Sequence, residues 1–169
     1  MQSGWRLVTM DEEKETPTND STLSEGKLLD YPLDYLKYRA ECLLFENKFE
    51  QALFFVEYVT ELDPEDLLLQ DHKAYLYNET GKPRKAIALW SLLNEKRGPH
   101  ARTHYNIGCA YYDLGQMLQA IDCWRASLEM REASDTHMNL AKAYEKLGDK
   151  QKSIYHLKEY KKLRQNEEE

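Results

Sequence analysis

Small and apolar side chains recur along this chain three, four and seven residues apart, in runs broken by Gly or Asn. That spacing lays one continuous stripe along a helix, so each run predicts an α-helix. The runs place helix pairs at 33–46 with 49–62, 67–80 with 83–96, 101–114 with 117–130, and 134–147 with 150–165. Gly81, Gly115 and Gly148 stand between the members of three pairs, where a left-handed backbone closes a helix, and Asn47 stands there in the other. Pro83 follows Gly81 by two and suits the first turn of a new helix, while Pro64 and Pro99 punctuate the junctions between pairs.

The pairs are copies of one another. Ala40, Ala74, Gly108 and Ala141 recur at steps of 34, 34 and 33. Leu43, Tyr77, Tyr111 and Tyr144 keep the same steps, as do Asn47, Gly81, Gly115 and Gly148. So do Ala52, Ala86, Ala120 and Ser153, with the large apolar Val56, Trp90, Trp124 and Leu157 four residues later. Small residues belong where paired helices cross closest, because a larger side chain forces the axes beyond their separation of about 8 to 10 Å. The bulky residue fills the space beside the crossing.

This pattern resembles the tetratricopeptide repeat, most fully in the third copy. Ile107-Gly108, Tyr111, Ala120 and Trp124 fall at the spacing of that family's Leu-Gly, Tyr, Ala and Phe positions. His104 replaces a frequent Trp, and Glu132 lies near a frequent Pro. The first copy has Arg39-Ala40 and Asn47 in place of the Leu-Gly pair and the turn Gly, yet ends in a family-like ELDPED. The resemblance covers residues 33–166. It implies an all-α, right-handed superhelix of four stacked helix-turn-helix units, at 33–66, 67–100, 101–133 and 134–166, with each first helix lining a concave face. Residues 1–30 are expected to be a disordered acidic tail and 167–169 an acidic end. Within the tail, Trp5, Leu7, Val8 and Met10 form a small apolar cluster, read either as a docking segment or as a remnant.

Composition narrows the function. Hydrophobic residues make up 41% of the chain and charged residues 31%, and no run of about 20 apolar residues offers a membrane span. The opening MQSGWRLVTMDEEKE turns acidic before any apolar stretch of signal-peptide length, so a cytoplasmic protein is expected. A net charge of −7 disfavours general nucleic-acid affinity, leaving proteins or peptides as the expected partners. Charge is also uneven along the chain. Three Lys/Arg face nine Asp/Glu in 33–66, whereas eight face four in 134–166, which motivates head-to-tail self-association as a hypothesis. Cys42, Cys109 and Cys123 lie in apolar patterns without CxxC spacing and read as buried thiols.

Catalytic chemistry finds no foothold in the sequence. Nucleotide-binding, serine-hydrolase and zinc-protease motifs are absent, and Ser127 and Cys109 have no recognisable base. His100 and His104 share a helical face, but no third ligand is placed beside them, and His104 and His137 occupy equivalent positions that suit packing or surface roles; His72 and His156 complete the set. The expectation is a non-enzyme without cofactor or metal. Its working surface is then the concave face, with Lys37, Tyr38, Tyr75, Arg102, Tyr105, Asn106, Tyr112, Met138, Asn139 and Lys142 as peptide contacts, alongside Glu41, Phe45, Asp71, His72, Glu79, Cys109 and Asp135. Amides grip a peptide backbone, and Tyr adds apolar area with a polar tip. Some relatives clamp a C-terminal carboxylate with a Lys and Asn one turn apart; Lys37 matches, but Glu41 stands in place of the Asn and repels an anion, so that mode is rejected. The leading reading is an adaptor that binds a peptide or helix. A secretion-type chaperone and a self-assembling scaffold are the alternatives.

Overall fold

The computed structural model describes residues 31–167, so the expectations for 1–30, including Trp5 to Met10, and for 168–169 lie outside the described residues. Eight helices follow one another among the described residues: α1 (Leu33–Phe45), α2 (Phe49–Leu62), α3 (Leu67–Glu79), α4 (Pro83–Arg97), α5 (Ala101–Asp113), α6 (Met117–Met130), α7 (Ser134–Lys146) and α8 (Lys150–Glu167). Each packs on its neighbours in sequence, and the four hairpins stack into an α-solenoid.

The hairpin turns are made alike. Asn47, Gly81, Gly115 and Gly148 have φ of 57°, 72°, 74° and 78°. This left-handed residue turns the next amide back into the helix, so that Lys48, Lys82, Gln116 and Asp149 donate to the carbonyls of Leu43, Tyr77, Tyr111 and Tyr144 at 2.7–2.9 Å. The four acceptors are the residues that recur in the sequence at the same steps, so one repeat position both packs and closes its helix. Between hairpins, the Asp66 carboxylate accepts the Leu68 and Leu69 amides at 3.1 Å each and starts α3. Pro83 opens α4 in its first turn.

Ala40, Ala74, Gly108 and Ala141 are all buried, as are Ala52, Ala86, Ala120 and Ser153. Val56, Trp90 and Trp124 beside them are 0%, 1% and 2% exposed. The indole Nε1 groups are satisfied across the hairpin: Trp90 donates to Asp71 Oδ1 at 3.0 Å and Trp124 to the Tyr105 carbonyl at 3.1 Å. Gly108 stands at a crossing with no room for a side chain. A Cβ built there falls 2.5 Å from Trp124 Nε1 and 2.6 Å from Cδ1, so only Gly allows the indole to lie flat on α5. Leu157 departs from its copies. It is 36% exposed, since no described helix lies on that side of α8. The three thiols are free and only partly buried, short of the full burial expected.

The last hairpin carries a polar cluster. His137, 4% exposed, hydrogen-bonds through Nε2 to the Glu132 carboxylate, and its Nδ1 shares a proton with Nδ1 of His156 at 2.9 Å. The His156 ring stacks on Tyr144 at 5.5 Å and meets the Tyr155 ring edge-on at 5.0 Å. Burial, and then the neighbouring His137, push the His156 pKa below its ordinary 6.5.

Two outcomes follow from these contacts. Gly108→Ala gains about 1 kcal/mol of helix propensity but overpacks Trp124 at about 1–3 kcal/mol, so it lowers the urea midpoint. In a Trp124→Val background, which has the residue of the equivalent position 56 and no atom beyond Cγ, the same change is neutral or stabilising. For His156, the folded pKa lies below the unfolded one, so the unfolded chain binds the extra proton. Its contribution to stability is complete above pH about 6.5 and is lost as pH falls below that value. Urea titrations between pH 8 and 5 show this decline, and His156→Asn, which keeps a hydrogen-bonding atom for His137, flattens it.

Candidate functional site

The first helices α1, α3, α5 and α7 line two clefts. The larger, about 350 Å³, is walled by Leu44 of α1, Asp71, His72 and Tyr75 of α3, and Arg102 and Asn106 of α5. The smaller, about 240 Å³, is walled by Cys109, Tyr112 and Asp113 of α5, Trp124 of α6, and Asn139 and Lys142 of α7. Residues from successive copies meet here because equivalent positions on consecutive first helices share one face.

A buried carboxylate organises the larger cleft. Asp71 is 3% exposed and gathers three donors: Trp90 at 3.0 Å, Arg97 at 3.3 Å, and the Arg102 guanidinium, which is itself largely exposed. Arg97 also donates to Thr103 at 2.9 Å. The cluster thereby joins α3, α4 and α5 and holds Arg102 at the cleft wall. A buried charge is tolerated only when paired and hydrogen-bonded in this way. The sequence placed Asp71 among residues turned to the groove; it lines the cleft, but its carboxylate is consumed inside the fold. Tyr75 forms the other wall, braced edge-on against Phe49 at 6.1 Å.

In the smaller cleft the Tyr112 ring tilts over Trp124 at 5.8 Å, and the Lys146 ammonium sits 4.1 Å from the Tyr112 centroid. Asn139 donates to the Tyr105 hydroxyl at 3.1 Å and lies 3.8 Å from Cys109 Sγ. Burial, with the nearby Cys109 adding to it, pushes the Tyr105 pKa up to about 12, and burial pushes the Cys109 thiol up as well. Both side chains stay neutral near pH 7.

The structure thus brings Tyr75, Arg102 and Asn106 together in one cleft and Tyr112, Asn139 and Lys142 in the other, with Tyr105 bonded to Asn139. Lys37 is committed elsewhere. Its ammonium bridges Asp63 and Asp66 at 2.9 Å each, and these hydrogen bonds, Asp66 foremost, raise its pKa to about 12 and hold Asp66 low. Tyr38 is exposed and Met138 half-buried, and neither lines a cleft. Leu44 and Asp113 line the clefts without having been anticipated; they lie three and four residues beyond Glu41 and Cys109, on the same helical stripe. The His137–His156 pair was also missed. Its separation of 19 residues is that of Trp90 from Asp71 and Trp124 from Tyr105, the distance at which two helices of one hairpin face each other. Among the described residues no group of three or more His, Cys, Asp or Glu is arranged around a common metal position, and no helix is long and apolar enough to cross a membrane.

Comparison with known proteins agrees with this geometry. The tetratricopeptide repeat model matches residues 101–134 and 134–167. No curated protein matches the chain by sequence. Solved structures of MamA share the fold. The 41-end form from Desulfovibrio magneticus RS-1 is 16% identical with a TM-score of 0.74, over 82% of this chain and 78% of that one. MamA of MSR-1 is 17% identical with a TM-score of 0.68, over 82% and 80%. Residues 101–167, the last two hairpins, are thus tetratricopeptide repeats by the family's model, and the first two hairpins repeat their turns and crossings in register.

Proposed function

We propose that the chain is a non-enzymatic adaptor whose face formed by α1, α3, α5 and α7 binds an extended peptide or a helix of a partner protein. The observation that carries this reading is the pair of clefts, about 350 and 240 Å³, set in line between successive first helices and walled by rings, amides and cations. Tyr75 and Tyr112 offer apolar area, while Asn106 and Lys142, whose side chains bond to no other described residue, offer donors to a peptide backbone or an acidic side chain. Asp71 fixes Arg102, and Asn139 is fixed by Tyr105, so little side-chain entropy is lost when a ligand docks.

The test is site-specific photocrosslinking in lysate of the native host. A photoreactive side chain at Asn106 or Lys142 captures a partner, whereas one at the exposed Leu118, on a second helix away from both clefts, does not. With that partner purified, Tyr75→Ala and Asn106→Ala each weaken binding by about tenfold, equal to about 1.4 kcal/mol. Equal capture at Leu118, or unchanged affinity in both variants, defeats the assignment.

A further inference from the structure

At both ends of the described solenoid the face that its inner junctions bury is left more open. On the second helices, Leu53, Ile121 and Val56 are 2%, 5% and 0% exposed, and Trp90 and Trp124 1% and 2%, because the next first helix covers them. Their counterparts on α8, Ile154 and Leu157, are 53% and 36% exposed. At the other end no described helix precedes α1, whose corresponding face presents Tyr35, stacked on Tyr31 at 5.1 Å, and Cys42, where the inner copies bury Leu69 and Leu76. The two ends also differ in charge. α8 carries Lys150, Lys152, Lys158, Lys161, Lys162 and Arg164 against Glu159 and Glu167, whereas residues 33–66 hold nine acidic residues against three basic ones.

We propose that α8 receives α1 of a second copy of this chain, continuing the solenoid head to tail. The inner junctions supply the geometry. The α2–α3 contact seats Lys73 on the Thr60 hydroxyl at 2.9 Å and Tyr77 on the Glu57 carboxylate at 2.8 Å. Carried one molecule further, Tyr35 takes the place of Leu69 above Ile154 and Leu157, and the acidic hairpin approaches the basic helix. Such a contact is heterologous, so it grows as an open chain rather than closing as a dimer. The surface is distinct from the two clefts, and its occupation leaves the peptide-binding reading intact.

The same register makes one awkward pair. Arg39 stands where Lys73 does, and Lys161 stands where Thr60 does, so two cations meet. Lys161→Thr restores the Thr60–Lys73 pairing while removing a positive charge from the basic end. Register-specific stacking therefore predicts that this variant associates more tightly, whereas attraction between net charges predicts the opposite.

Sedimentation velocity of the full chain, across concentrations and at about 0.02 M and about 0.5 M salt, reads the outcome. The expected result is mass that rises with concentration without stopping at two copies, more steeply at low salt. Ile154→Glu, at an exposed position where circular dichroism shows the fold retained, weakens association at least about tenfold, and Lys161→Thr strengthens it about threefold. A monomer at every concentration, a dimer that grows no further, growth untouched by Ile154→Glu, or weaker association in Lys161→Thr each overturns the proposal.

Discussion

The closest approach of two helices within each hairpin governs everything built on it. Ala40, Ala74, Gly108 and Ala141 set how near the axes come, and Val56, Trp90 and Trp124 fill the space that this nearness leaves. The fit has little slack, since interiors are packed at crystal-like density and a single added methyl group is felt. At Gly108 it reaches its limit, with an indole where a Cβ would stand. Because each large residue also forms the floor for the next hairpin, an error in one crossing displaces the following first helix, and with it one wall of a cleft. The spacing of the clefts is therefore a property of the core.

Apolar burial supplies the stability of such a stack but says little about rotation of one hairpin on the next, because dispersion and desolvation are not directional. Polar bridges at the junctions supply that information. Lys37 ties α1 to Asp63 and Asp66 in the connection to α3, and Asp71 ties α3 to Arg97 of α4 and Arg102 of α5. Asn78 reaches Asp113 across the same interface at 3.1 Å. Each requires a defined orientation of its partners, and the buried Asp71 carboxylate tolerates no other arrangement without exposing an unpaired charge. The cost of these bridges is that the carboxylate at their centre, the buried Asp71, is unavailable to a ligand.

That division explains what the sequence disclosed. Helix ends, turns and crossing residues were legible because they recur at steps of 34, 34 and 33, and a repeated fold repeats its local requirements. Observed helices match those expected to within two residues, the largest departure being where α8 runs on to Glu167. The individual bridges were illegible because they do not recur. Position 71 is Asp, while its copies are Lys37, Tyr105 and Met138, and each finds a different environment. Helical phase alone put all four on the groove, and only the partners brought by tertiary packing separate Lys37, consumed by two carboxylates, from Tyr105, bonded to an amide. Leu157 misled for the complementary reason. Its register position is a buried one, but burial there depends on a neighbouring first helix, and none is found beside α8 among the described residues.

The chemistry of the clefts follows from the same packing. A thiol and a phenol converge where α5 meets α7, and in another setting they would read as a nucleophile and a proton donor. Here burial favours their neutral forms, driving Cys109 upward and Tyr105 to about 12, and the Asn139 amide that meets both accepts no proton at neutral pH. A thiolate nucleophile needs cationic or helix-dipole support that lowers its pKa, and the displacement is in the other direction. Neutral, fixed and partly apolar groups are poor at moving protons and good at presenting a constant surface. The close Gly108–Trp124 contact lies in the same hairpin, and Trp124 itself forms part of the cleft wall.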